Sequence, residues 1–123
     1  MAASVSVQDL IQRKDQILAK KDELYDLSTS VGVITVRKPS KALAMETLDL
    51  EADSRDAYLI LNTVVSPDLK DKDLQKAYGC AEPTDIIGKL FDAGEVPSIA
   101  NKIMQCAGYN KDISAKLHED VKN

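Results

Sequence analysis

The chain has a single histidine, His118, near the end of the sequence among Lys116, Glu119 and Asp120. A serine–histidine–acid relay or a cysteine–histidine pair would have to be assembled on that charged terminal stretch, so His118 reads as a solvated surface side chain. Cys80 and Cys106 stand far apart without the CxxC spacing of a redox or zinc motif, which fits reduced, buried thiols. Zinc catalysis needs about three protein ligands, and one histidine with two distant cysteines supplies no such set. The acids Asp71, Asp73 and Glu82 look superficially like a calcium loop, but Lys76 stands where that loop needs glycine and Gln75 is a weak ligand at its fifth position. Helix capping explains these acids better. No GxGxxG or GxxxxGKS/T run is present, which removes the sequence basis for nucleotide binding. Residues 71–91 have the outline of a helix-turn-helix, yet its second helix would offer Thr84, Asp85 and Lys89, one base beside an acid. That is a poor reader of a polyanion. The expectation is a protein without catalytic residues, metal or cofactor.

Composition points to binding by packed helices. The formal net charge of −4 comes from 20 acids and 16 bases scattered along 123 residues, so no phosphate-binding field forms and nucleic acid is not expected as a partner. Hydrophobic residues make up 44% and charged residues 29%, as in a globular protein. One Phe, four Tyr and no Trp leave an aliphatic core, which favours helix packing over a β sandwich. The longest apolar run, Ala57 to Leu61, stops at Asn62 and resumes only to Val65, too short for a membrane span. With no signal-peptide pattern either, the chain is read as cytoplasmic.

The pattern along the chain sets out the elements. Ser6 to Asp9 has the form of a capping box, opening a helix over 6–24. Its apolar pairs Leu10-Ile11, Ile17-Leu18 and Leu24-Tyr25 recur every seven residues, with Lys14 and Lys21 near the same seam. Such a narrow stripe suits a helix lying across its own domain, and equally one that docks a partner or self-associates. Residues 25–37 read as a hairpin turning at Thr29-Ser30-Val31-Gly32, with β-branched Val33 to Val36 on the return strand. Ser40 caps a helix running through Ala42 to Met45 and on to Leu48 and Leu50, and 51–56 is read as a polar connection. Tyr58 to Val65 is read as a buried helix, although periodicity does not separate helix from strand in so short a run. Further helices are expected over 71–78, closed by Gly79, from Pro83 to Phe91, and from Val96 to Ala107, closed by Gly108. Ile113, Leu117 and Val121 at steps of four predict a last, fraying helix over 112–121. The fold class is α+β and predominantly helical: one domain, 1–123, with a hairpin near the N terminus packed on about five to six short helices and a helical body over 40–121.

The ordered combination resembles the XkdN-like family of phage tail assembly chaperones, found in tailed phages and in defective prophages of Gram-positive bacteria. The resemblance rests on Ser30 to Pro39, on Tyr58 to Leu61 with Pro67 to Asp71, and on Pro83 to Val96 leading to Ala107-Gly108-Tyr109. These are structural landmarks and not catalytic signatures. The resemblance implies a morphogenesis protein of the host cytoplasm that coats the tape-measure protein, keeps it soluble and helps recruit tail-tube subunits. It also implies a longer product made by translational frameshifting, for which Val121-Lys122-Asn123 could be encoded by a slippery run. The family supplies no binding site by residue. From pattern alone, the partner-contact candidates are the stripe Leu10, Ile11, Ile17 and Leu18 and the strand edge Val33, Ile34 and Val36. A prophage DNA-binding regulator and a minor structural tail protein are the alternative functions.

Overall fold

A computed structural model describes residues 4–109 and 113–118. Seven α-helices are described, with a three-stranded antiparallel sheet whose hairpin lies near the N terminus, an α+β fold. In chain order these are α1 (Val7–Gln12), α2 (Lys14–Ala19), a 3-10 turn (Lys20–Asp22), β1 (Leu24–Thr29), β2 (Gly32–Arg37), α3 (Lys41–Leu48), α4 (Ala52–Thr63), β3 (Val64–Ser66), α5 (Lys72–Ala77), α6 (Asp85–Leu90) and α7 (Glu95–Cys106).

Local chemistry starts and stops these helices. Ser40 Oγ accepts the Leu43 N–H at 3.1 Å, and Asp71 Oδ1 accepts that of Leu74 at 2.9 Å. Asp85 Oδ2 accepts the N–H groups of Ala81 and Glu82, each at 3.0 Å, and holds the turn into α6. At the end of α5 the Gly79 N–H donates to Lys76 O and the Cys80 N–H to Gln75 O, with Gly79 at φ +64°. That paired bond is the Schellman stop, and it requires a left-handed residue. Gly108, at φ +94°, ends α7 by the same pairing to Gln105 and Met104.

Helix α4 is the centre of the packing, against α7, α3, α6 and β3. Leu59, Ile60 and Leu61 are buried on it, and join Ile86 and Ile87 of α6, Ile99, Ala100 and Ile103 of α7 and Val36 of β2 in the core. Each such side chain contributes about 1.5–3 kcal/mol on leaving water. The buried polar groups are satisfied locally: Thr63 Oγ1 donates to Leu59 O at 2.7 Å and Thr47 Oγ1 to Ala44 O at 2.6 Å. Arg55 on α4 reaches back to α3, donating from Nε to Leu50 O at 2.8 Å and from Nη2 to Leu48 O at 3.3 Å, which satisfies carbonyls that a helix end leaves open.

Several sequence expectations are corrected here. The expected helix over 6–24 is two six-residue helices broken at Arg13 (φ −97°, ψ 13°) and a 3-10 turn. None of the residues of these three elements is buried, so no core packing holds the halves in line, and isolated helices this short are marginal. Residues 52–56, read as a connection, are the first turns of α4. Val64 to Ser66 form β3, paired to β2 through Thr35↔Ser66 and Val36↔Val64. Strand β2 is therefore the middle strand and not an edge. Residues 113–118 carry no helix, with Ile113 84% and Leu117 85% exposed; the rest of the expected last helix lies outside the described residues. Cys80 and Cys106 are free thiols but only half-buried.

Candidate partner-docking surface

The N-terminal arm, residues 6–22, begins at the expected capping box: the Asp9 N–H donates to Ser6 Oγ and the Ser6 N–H to Asp9 Oδ2, both at 3.1 Å. Beyond the cap, nothing in α1, α2 or the 3-10 turn is buried. Of the stripe, Leu10 is 47% exposed, Ile11 61%, Ile17 36% and Leu18 50%, and Val7 and Leu24 extend the apolar surface at either end. The four stripe residues thus stand exposed on two short helices that break at Arg13. Leaving several aliphatic side chains in water forgoes the burial energy that each would return against a partner.

The strand candidates separate by face, because successive side chains of a strand alternate. Val33 is 63% exposed, whereas Ile34 (2%) and Val36 (0%) belong to the core. Ile34 and Val36 already pack against this chain's own helices, so they are withdrawn from the contact set. Of the three strand candidates only Val33 faces outward.

At the root of the arm lies a groove of about 670 Å³, lined by Lys21 and Asp22 of the 3-10 turn, Arg37 and Lys38 at the end of β2, Lys41 at the start of α3, and Tyr109 after α7. Lys38 is held in place: its Nζ donates to Lys20 O, lies 3.6 Å from Glu23 Oε1 and sits 5.8 Å above the Tyr25 ring. Arg37 Nη2 donates to Asn62 O at 2.9 Å. Among the described residues the Lys21 and Lys41 side chains make no hydrogen bond or ion pair. The sequence reading missed this groove because its cations come from three elements that only the fold brings together.

A second recess lies between α4, α5 and the turn before α6, lined by Tyr58, Leu61, Asn62, Lys70, Gln75 and Pro83 among others. Its Gln75 and Lys70 side chains are committed to the fold. Gln75 Nε2 donates to Leu69 O at 2.7 Å and Pro83 O at 3.0 Å, and Lys70 Nζ donates to Asn62 Oδ1 at 2.9 Å. Burial pushes the Cys106 thiol above its ordinary value despite the nearby charges of Lys102 and Lys38, which disfavours the thiolate a nucleophile needs. His118 is exposed, and no group of three metal-ligating side chains forms among the described residues. No helix there is long and apolar enough to cross a membrane.

The sequence model described as phage XkdN-like tail assembly chaperone protein matches residues 19–122. The phage-like element PBSX protein XkdN of Bacillus subtilis (strain 168) is 29% identical over 76 residues, which cover 61% of this chain and 51% of that protein. The match thus spans about half of that relative's length. No solved structure matches. The family match takes in the sheet and helices α3 to α7 and begins at the last residue of α2, so the stripe from Leu10 to Leu18 stands ahead of it.

Proposed function

The chain belongs to the phage XkdN-like tail assembly chaperone family, and on that premise we propose that it binds the tape-measure protein through its N-terminal arm and helps recruit tail-tube subunits around it. The observation that carries this reading is the arm: a helical segment with no buried residue and an aliphatic stripe open to water. A tape-measure protein threads the length of a tail, and long helical segments without their final partners expose apolar seams that aggregate. An arm presenting Leu10, Ile11, Ile17 and Leu18 covers such a seam by helix-on-helix contact, with no chemistry and no nucleotide. Both α1 and α2 are short and have no buried residue, and a partner helix lying along them supplies the packing that steadies them. Val33, exposed on β2 opposite Ser28 near the hairpin tip, is a separate candidate contact.

The test is co-expression with the tape-measure protein of the same gene cluster, followed by pull-down and a solubility comparison. A tape measure that is soluble and co-purifies only when this chain is present supports the proposal. A tape measure that neither binds nor changes solubility removes it. Persistence of the chain in purified tails would instead favour a structural subunit, and a salt-sensitive shift of duplex DNA would favour a regulator.

A further inference from the structure

We propose that the basic groove at the root of the arm is a docking site for an acidic segment of the protein partner, adjoining the apolar stripe. For the partner's identity this rests on the chaperone reading. Among the described residues the groove gathers Lys21, Arg37, Lys38 and Lys41 with Asp22 as the one lining acid, in a chain whose formal net charge is −4. Like charges crowd there although the rest of the molecule carries the acidic excess, and a concave wall focuses their field on whatever enters. Lys38 is fixed by Lys20 O, Glu23 and Tyr25, but Lys21 and Lys41 have their side-chain donors to spare among the described residues. An incoming carboxylate supplies the acceptors they lack.

Position gives the second reason. Lys21 and Asp22 are the 3-10 turn in which the arm ends, directly after Leu18 and Ala19. A partner helix lying along Leu10, Ile11, Ile17 and Leu18 runs out at this groove, so an acidic residue beyond its apolar face meets Lys21 and Lys41. The apolar stripe supplies affinity, and the charged end fixes direction and register, which a narrow aliphatic seam does not determine. Nucleic acid fits less well, because a polyanion approaching this one recess must also meet the acidic remainder of the surface.

The experiment uses the full chain and two fluorescein-labelled synthetic peptides that share one amphipathic helical sequence, one ending in four glutamates and the other in four glutamines. Fluorescence anisotropy at low salt is expected to show the glutamate-ended peptide binding about tenfold more tightly. That preference should shrink as salt rises and disappear in the charge-reversed pair Lys21→Glu and Lys41→Glu. The neutral pair Lys21→Gln and Lys41→Gln should give an intermediate preference, and guards against a folding effect of charge reversal. Equal binding of the two peptides by the wild-type chain, an undiminished preference in the charge-reversed protein, or tighter binding of a single-stranded DNA oligonucleotide overturns the site. The tape-measure pull-down is run in parallel. Capture without a glutamate preference removes the groove and keeps the chaperone reading; a glutamate preference without capture does the reverse.

Discussion

Glu95 opens α7, and its carboxylate holds the hairpin tip: Oε2 accepts the Ser30 N–H at 2.7 Å and Oε1 accepts the Ser30 hydroxyl at 2.6 Å. Those bonds, the side-chain one foremost, hold the Glu95 carboxyl below its ordinary value. A carboxyl with a depressed folded value stabilises the ionised native state at neutral pH, and this contribution is lost as pH falls through the ordinary glutamate range toward the folded value. Amide hydrogen exchange at Ser30 should therefore quicken on acidification relative to its intrinsic rate, and Glu95→Gln should flatten that response. An Ser30 amide whose protection is the same in both proteins across the acid range would show the contact to be idle. Gly79 works at the same scale through its backbone. At φ +64° a Cβ is strained although the space around it is open, so Gly79→Ala should lower stability by about 1–2 kcal/mol, read from the denaturant midpoint.

Helix α4 is the element on which the rest is mounted, and its buried face sets the largest mutational cost. Ile60 is fully buried on α4, the helix that packs against α7, α3 and α6, so Ile60→Ala should cost about 2–5 kcal/mol in an equilibrium unfolding experiment. A cost near that of a surface change would place α4 at the margin of the packing. The arm is its opposite. Ile11→Ser and Leu18→Ser should change stability by no more than about 0.5 kcal/mol, because neither side chain is buried in this chain. These two elements also show what is legible in a sequence. Helix α7 could be placed from Val96, Ile99, Ala100, Ile103 and Met104, because its stripe packs on the core and Gly108 stops it. The boundary of α4 could not, because the short apolar runs on either side of Asn62 and Thr63 do not separate helix from strand, and the change from helix to strand at Val64 depends on β2 being there to pair with. The stripe itself was legible, but its exposure was not: periodicity records which residues share a face, and only the fold decides whether anything covers that face. Ile34 and Val36 were misplaced for the related reason that Val64 and Ser66 convert an apparent edge into a central strand.

Across the whole molecule, a buried aliphatic core holds helices α3 to α7 and the sheet, and an arm with no core of its own leads into β1. The part matched by the family begins at residue 19, where the arm is ending. In the proposed reading body and arm carry different work: the body holds the fold, arm and body together line the basic groove, and the arm offers an exposed apolar surface to a partner. Their separation makes the proposal testable without confusing binding with folding. The most direct measurement is the amount of tape-measure protein kept soluble and co-purified by the wild-type chain and by the double variant Ile11→Ser, Leu18→Ser, with the thermal unfolding of both proteins recorded alongside. Docking through the arm requires the variant to unfold at the wild-type temperature and to lose most of the soluble, co-purified tape measure. A variant that folds normally and still solubilises and captures the tape measure as well as the wild type would place the partner surface elsewhere on the molecule.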